Sequence, residues 1–238
     1  MLILAFDTST MAGNVALLDD HQTLAAKPLT EDKRSAQTLA PALSSLMREC
    51  SVTPSSIRLI ATTIGPGSFT GLRVGVTTAK MLAYALNCPV MGLDTLEVLA
   101  SQVPAEVVEK SVSGKIHAIL DAQRRELVVG RFLADKERAT GDSSDLNVHR
   151  SAENEILPAE TWLASLQPGD IVTGAGASRW LEKLPAGVLV VDSRHREPLA
   201  ATIGRLALAA HQQGRRDDLW NLAPHYIRPS YADEKRVV

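Results

Sequence analysis

The order of apolar runs in the first hundred residues restricts the fold of this chain more than any other sequence feature. Three strand-like runs with short polar turns between them predict an antiparallel meander, over residues 2–7, 15–18 and 23–29. Leu39, Leu43, Leu46 and Cys50 then share one helical stripe, which predicts a helix over residues 33–50. Two strand–helix units follow, at 57–64 with 69–87 and at 90–93 with 95–100, and Thr95 is the predicted N-cap of the last helix. The predicted order is therefore βββαβαβα.

The second half of the chain repeats this order in a reduced form. It predicts ββαβαβα, with strands at 116–120, 126–133, 170–173 and 188–192 and helices at 158–166, 177–184 and 198–213. The polar residues 134–156 are predicted to form an exposed loop.

A meander followed by crossover helices makes a mixed sheet with helices on its faces. This order is similar to one RNase H-like half of the actin, sugar-kinase and Hsp70 (ASKHA) architecture. The predicted fold class is therefore α/β with two RNase H-like lobes, an N-terminal lobe over residues 1–104 and a smaller one over residues 105–238.

Composition restricts the possible environments and partners. Hydrophobic residues make up 45% of the chain and charged residues 22%, which is typical of a globular protein. No apolar run is long enough for a membrane span, no secretion signal is evident, and Cys50 and Cys88 are isolated, so a cytoplasmic protein is expected. Lys and Arg number 25 against 27 Asp and Glu, and aromatic residues are 4%. Without a basic excess or stacking aromatics, contact with RNA is expected only through a partner.

Two polar turns are candidate binding sites. The run Gly65-Pro-Gly-Ser68 lies between a strand and a helix, where backbone N–H groups can bind an anion. Its spacing fits no common phosphate-binding motif, and a tight turn with Ser68 as the helix N-cap explains it equally well. Asp7, Thr8 and Ser9 end the first strand, where they can hold a hydrated metal ion and a phosphate or satisfy the turn backbone.

The second predicted helix carries a stripe of small residues at a spacing of four. Gly71, Gly75, Ala79 and Ala83 let another element approach closely, because none of them has a large side chain. Two glycines cost about 1 kcal/mol each in a helix, which indicates close packing. The stripe can face the sheet of this chain or a partner helix.

Four segments together resemble the bacterial TsaB (YeaZ) family. They are FDTST near the start, GPGSFTGLRVG after the fourth strand, ILDAQRRELVVGRF in the second half, and the tail APHYIRPSYAD. They cover nearly the whole chain in the family's order. The resemblance implies an actin-like fold and a part in making N6-threonylcarbamoyladenosine at position 37 of tRNAs that read ANN codons. It implies a non-catalytic partner of the transferase TsaD, acting with the ATPase TsaE and with TsaC, which makes threonylcarbamoyl-adenylate.

The resemblance also implies a partner interface. In the TsaB family the first two long helices pair with the matching helices of TsaD or of a second TsaB, which makes a homodimer when the protein is alone. Carried onto this chain, the expected interface residues are Leu39, Leu43, Leu46, Met47, Gly71, Arg73, Gly75 and Ala79. Because the family often has a His where Ser35 stands here, no role of that His is carried over.

The histidines argue against a catalytic metal site. TsaD-type proteins bind a metal through two His four residues apart on a helix, whereas the closest of the six His here, His211 and His225, are 14 residues apart. No catalytic residue and no metal ligand is assigned. A cofactor is not expected in this chain, although ATP or ADP can bind to a complex that contains it. The Asp7 and Gly65–Ser68 turns are interpreted as vestigial nucleotide turns.

Two alternatives remain open at this point. The first is a small-molecule kinase or ATPase of the same fold, which would use Asp7 and the 65–68 loop. The second is a stand-alone homodimer that uses the two helices for itself.

Overall fold

A computed structural model describes residues 1–30, 35–135 and 145–227. Its first sheet has the order β3-β2-β1-β4-β5, in which β1, β2 and β3 are antiparallel and β4 and β5 run parallel to β1. The strands are β1 (Leu2–Asp7), β2 (Asn14–Asp19), β3 (Gln22–Pro28), β4 (Leu59–Gly65) and β5 (Val90–Asp94). The accompanying helices are α1 (Ser35–Glu49), α2 (Phe69–Leu86), α3 (Thr95–Ser101) and α4 (Ala105–Lys110).

The second sheet repeats the same plan. Its order is β10-β9-β6-β7-β8, again with an antiparallel meander followed by two parallel strands. The strands are β6 (Lys115–Asp121), β7 (Glu126–Ala134), β8 (Val148–Pro158), β9 (Ile171–Thr173) and β10 (Leu189–Val190), and the helices are α5 (Ala159–Ser165) and α6 (Ala200–Gln212). Two mixed sheets with flanking helices confirm the predicted class, a two-lobed actin-like α/β fold.

Four local predictions were wrong. Residues 148–158 form strand β8 rather than a loop, because β8 is a mostly exposed edge strand whose charged side chains give no apolar alternation. Residues 136–144 of the predicted loop, like 33 and 34 of the predicted first helix, lie outside the described residues. Two short 3-10 helices replace the predicted helix at 177–184, α4 was missed, and Asp94 rather than Thr95 caps α3.

Each sheet is covered on its two faces by helices from both halves of the chain. Leu4 and Phe6 of β1 pack with α1 and α2 on one face, whereas Ile3 and Ala5 pack with α6 on the other. Alternate residues of a strand point to opposite faces, so β1 is buried twice. Helix α3 in turn packs against β6 and β7 of the second sheet. The division of the chain between residues 104 and 105 stays a prediction.

Helix α2 lies unusually close to the first sheet because its small-residue stripe faces that sheet. A methyl group at Gly71 would overlap the carbonyl oxygen of Thr8, and one at Gly75 would overlap the hydroxyl of Thr8. The Thr8 hydroxyl donates a hydrogen bond to the Gly71 carbonyl at 2.8 Å. The close packing that the stripe indicates is therefore packing on the protein's own sheet.

No helix among the described residues is both long and apolar enough to cross a membrane.

Replacing Gly71 with Ala is expected to lower the free energy of unfolding by about 1–3 kcal/mol, because the added methyl group must displace α2 from β1. Chemical denaturation of the purified chain measures this. Thr77→Ala on the exposed side of α2 is the control and should stay within about 0.5 kcal/mol of the wild type. Equal midpoints for Gly71→Ala and the wild type would contradict the packing described here.

Burial of His117 makes the free energy of unfolding depend on pH. Burial, assisted by the charges of Arg131 and Lys115, holds its pKa below the ordinary value despite Asp170, whose carboxylate lies 3.4 Å from Nε2. The unfolded chain therefore binds a proton near pH 6.5 that the folded chain does not bind. The free energy of unfolding should fall as the pH drops below about 6.5, by up to about 1.4 kcal/mol per pH unit.

The measurement is urea unfolding from pH 5 to 8 of the wild type, His117→Gln and the exposed-site control His21→Gln. His117→Gln should flatten the low-pH decline, and His21→Gln should leave it unchanged. Identical pH profiles for all three proteins would show that His117 does not set the decline.

Candidate functional site

Most of the residues expected at a partner interface lie inside the chain's own core. Leu39, Leu43 and Leu46 of α1 are buried with Ala79 of α2 against the first sheet. Gly71 and Gly75 face Thr8, as described above. These six residues are unavailable to a partner in this fold. This corrects the expectation that they lie at a partner interface. Met47 is half-buried beside the same core, and only Arg73 of the expected set is exposed.

The outward faces of α1 and α2 carry different residues. On α1 they are small or polar, and Ala36, Ala40 and Ser44 recur at a spacing of four. On α2 the outward residues include Thr77 and two large apolar side chains, Met81 at 68% exposed and Tyr84 at 67%. Exposed aromatic and Met side chains are enriched at protein interfaces, so this face is the candidate partner surface.

A segment without regular secondary structure, residues 215–227, runs along α2 in the opposite direction and is called the strap below. It begins at β5, where Arg215 donates to the Gly92 carbonyl at 2.6 Å and Asp217 accepts from the Gly92 amide at 2.8 Å. Lys80 of α2 then donates to two strap carbonyls, those of Trp220 and Leu222, each at 2.9 Å. The strap is thus bonded to both the sheet and the helix.

Aromatic side chains of the strap contact α2 near both of its ends. At the C-terminal end of α2, Tyr84 and Trp220 meet edge to face with centroids 5.7 Å apart, and Trp220 is 72% exposed. At the N-terminal end, Arg73 lies 3.9 Å from the centroid of Phe69 and donates to the Tyr226 hydroxyl at 2.9 Å. The predicted interface residue Arg73 therefore contacts the strap of its own chain.

The predicted turn at the end of β1 is a buried polar cluster. Oδ1 of the fully buried Asp7 accepts hydrogen bonds from the Ser9 amide at 3.2 Å, the Ser9 hydroxyl at 2.7 Å and the Thr63 hydroxyl at 2.5 Å. Burial raises the pKa of Asp7, and the bonds from Thr63 and Ser9 oppose that effect. Thr8 is occupied with Gly71.

The glycine loop packs directly on that turn. The Ser68 amide donates to the Ser9 carbonyl at 2.7 Å, and a methyl group at Gly67 would lie 2.5 Å from the same oxygen. At Gly65 (φ +128°) the neighbouring atom is the carbonyl oxygen of His225 in the strap. The Ser68 hydroxyl accepts from the Gly71 amide at 3.3 Å and caps α2. Backbone packing thus accounts for these glycines, and a phosphate site at Gly65, Gly67 and Ser68 stays a prediction.

Two residues that contact α2 were missed in the sequence analysis, Trp220 and Tyr226. Tyr226 lies in the tail APHYIRPSYAD, one of the four segments that resemble the TsaB family, but the resemblance assigned no contact to it. Residues 228–233 of that tail lie outside the described residues. Trp220 lies in an irregular segment, where no periodicity shows which element it contacts.

The two sheets have the same topology, and each is packed by a helix from the other half of the chain, α6 on the first sheet and α3 on the second. This arrangement defines an actin-like protein of the ASKHA class. A family model described as TsaD, tRNA N6-adenosine threonylcarbamoyltransferase, matches residues 24–156, more than half of the chain. The chain belongs to this family.

Curated relatives and solved structures confirm the resemblance to TsaB (YeaZ) proteins. The tRNA threonylcarbamoyladenosine biosynthesis protein TsaB of Bacillus subtilis is 37% identical over 133 residues, which span 56% of this chain and 55% of that protein. TsaB of Escherichia coli is 26% identical over 239 residues, covering 99% of this chain and 98% of that protein. The structure of YeaZ from Pseudomonas aeruginosa has a TM-score of 0.73 and 26% identity, and covers 94% of this chain and 99% of that one.

Replacing Arg73 with Ala is expected to loosen the strap, because it removes both the hydrogen bond to the Tyr226 hydroxyl and the cation–π contact with the Tyr226 ring, whose centroid lies 5.9 Å from the guanidinium carbon. The His225 amide, which donates to the Ile64 carbonyl at 2.6 Å, reports this. Its hydrogen exchange should accelerate about tenfold. Arg48→Ala on the exposed side of α1 is the control. Unchanged exchange at His225 in Arg73→Ala would mean that Arg73 does not hold the strap.

Proposed function

We propose that this chain is a TsaB-type, non-catalytic subunit that activates a TsaD-type transferase in forming N6-threonylcarbamoyladenosine at position 37 of ANN-decoding tRNAs. The observation that carries the proposal is the end-to-end likeness to TsaB of Escherichia coli, together with the TsaD family match. A TsaE-type ATPase is the further partner, tRNA contacts the complex rather than this chain alone, and ATP or ADP enters at that level.

Two features of the chain support a non-catalytic role. The closest His residues are 14 apart, so no helix carries the His pair that a TsaD-type metal site needs. The Asp7 turn and the glycine loop contact each other through backbone atoms, and Oδ1 of Asp7 is occupied by Ser9 and Thr63. These groups serve the fold of the first lobe.

The partner surface in this proposal is the outward face of α1 and α2 rather than their buried stripes. Small residues on α1 let a partner helix approach, and Met81 offers apolar area to it. The two helices contact each other, and the proposed surface spans the outward residues of both. The same face serves the homodimer when the chain is alone, in competition with the transferase.

The experiment that tests the function is modification of transcribed tRNA by purified TsaC-, TsaD- and TsaE-type proteins of the same organism, with and without this chain. Loss of threonylcarbamoyladenosine only when the chain is omitted supports the proposal. Undiminished product without the chain overturns it and favours the alternative of an independent kinase or ATPase, which nucleotide turnover by the isolated chain then measures.

Placing a charge on the outward face should break the complex without unfolding the chain. Met81→Glu and Ala40→Arg are each expected to weaken binding to the TsaD-type partner at least tenfold, because a charge would be buried unpaired. Isothermal titration calorimetry measures the affinity, and the thermal midpoint of each isolated variant shows that it is folded. Val112→Glu, at a side chain that is 89% exposed in the second half of the chain, is the control. Wild-type affinity in both variants would exclude this face.

A further inference from the structure

A cavity of about 370 Å³ opens where the two sheets and the strap meet. Asp94 lines it from the end of β5, at one edge of the first sheet, and Arg150, Glu153 and Asn154 line it from β8, at one edge of the second. The rest of the lining is the end of the strap, residues 225–227. The volume lies in the range of roughly 300–1,000 Å³ that is usual for small-molecule sites.

Hydrogen bonds hold the charged part of the lining in place. Oδ2 of Asp94 accepts from Nδ2 of Asn154 at 2.8 Å. Oδ1 of Asp94 accepts from the amides of Leu96 and Glu97 at 2.9 and 3.0 Å, and the Arg150 guanidinium lies 3.2 Å from the same oxygen. Both oxygens of this carboxylate are therefore already engaged within the chain.

Arg150 is fixed on two sides and still has donors to offer. Besides its pairing with Asp94 it donates to Oδ1 of Asn154, and its guanidinium carbon lies 4.8 Å from the centroid of the Phe132 ring. A guanidinium has five N–H donors, and the two polar contacts use two of them. Because Arg150 lines the cavity, the remaining donors can bind a carboxylate there without displacing Asp94.

Glu153 brings the opposite charge to the same cavity. Its side chain is exposed, and its carboxylate has no hydrogen bond or ion pair with another residue in the described part of the chain. An ammonium group is the natural partner of such a carboxylate. The cavity thus offers N–H donors and a free carboxylate to one ligand.

The strap closes the cavity with a fixed and partly apolar surface. The His225 amide donates to the Ile64 carbonyl at 2.6 Å, which ties this end of the strap to β4. The Tyr226 ring packs on Phe69 with centroids 4.7 Å apart, and Ile227 packs on the core of the second sheet. A ligand in the cavity therefore has aromatic and aliphatic area beside it.

We propose that this cavity binds a free neutral α-amino acid as its zwitterion. The carboxylate of the ligand binds Arg150, its ammonium group binds Glu153, and its side chain contacts Tyr226 and Ile227. A ligand with only a negative charge would be repelled by the acidic residues, and one with only a positive charge would be repelled by Arg150. The inference does not depend on the proposed function.

The test is a titration of the full, isotope-labelled chain followed by the NMR amide shifts of Glu153, Asn154 and His225. The probes are glycine, L-alanine, L-leucine and L-phenylalanine, with two analogues of leucine: isocaproate, which lacks the ammonium group, and isoamylamine, which lacks the carboxylate. L-leucine should bind with a Kd on the order of 1 mM or below. Each analogue should bind at least about tenfold more weakly than L-leucine.

Two variants assign the two charges of the ligand. Glu153→Gln should weaken L-leucine binding at least about tenfold and leave isocaproate binding unchanged, because only the ammonium group loses its partner. Arg150→Gln should weaken L-leucine equally and leave isoamylamine unchanged. Glu153 has no internal partner to lose, so its variant should keep the wild-type thermal midpoint. Glu155→Gln, at an acid of the same strand that pairs with Arg131 and does not line the cavity, is the matched control.

Three results would overturn the proposal. The first is the absence of shifts at the three reporter amides with all four amino acids at millimolar concentration. The second is isoamylamine or isocaproate binding as tightly as L-leucine, which would make the cavity a simple cation or anion site. The third is wild-type affinity for L-leucine in Glu153→Gln.

Discussion

The hydrogen bond from the Thr8 hydroxyl to the Gly71 carbonyl joins the end of β1 to the first turn of α2, and the arrangement of the first lobe depends on that contact. It is possible only because Gly71 and Gly75 let the helix backbone touch the strand end. The same approach brings the Ser68 amide to the Ser9 carbonyl, so the two polar turns become one packed unit. A helix held this closely to its sheet has one face committed to the core. Its opposite face is free for other contacts.

Because one face of α2 packs on the sheet, its other neighbours contact its remaining sides. The strap contacts α2 through Lys80, Arg73 and Tyr84, and α1 contacts α2 as well. The outward face of α2 is what these contacts leave exposed. The buried residues that hold α2 on its sheet and the exposed residues that can contact a partner are therefore different sets on one helix, and of the exposed residues Tyr84 also contacts Trp220 of the strap. A variant of the buried stripe reports on folding, whereas a variant of the outward face reports on association.

The sequence predicts those elements that bury an apolar face. The continuous apolar runs of β1 and β4 and the helical stripe of α1 each pack on a core, so pattern and structure agree there. The edge strand β8 buries little, so its sequence reads as a loop. The stripe of Leu39, Leu43 and Leu46 shows that the helix packs on an apolar surface. The same three residues would be expected whether that surface is a sheet of the same chain or a partner helix, so the pattern does not distinguish the two. The contact of Arg73 with Tyr226 depends on the path of the irregular strap, which no local pattern encodes.

The crossover segment also determines how the two lobes act together. Gln102, the residue after α3, is buried and its side-chain amide bonds to His195, Glu197 and Leu199, while α3 packs on the second sheet and α6 on the first. Moving one sheet relative to the other would break those bonds and expose both helices at once. Because unsatisfied buried polar groups are costly, this exchange favours one relative position of the lobes. A subunit that works by presenting a fixed helical face to a partner needs that rigidity, whereas an ASKHA enzyme that closes its lobes on a nucleotide needs the opposite.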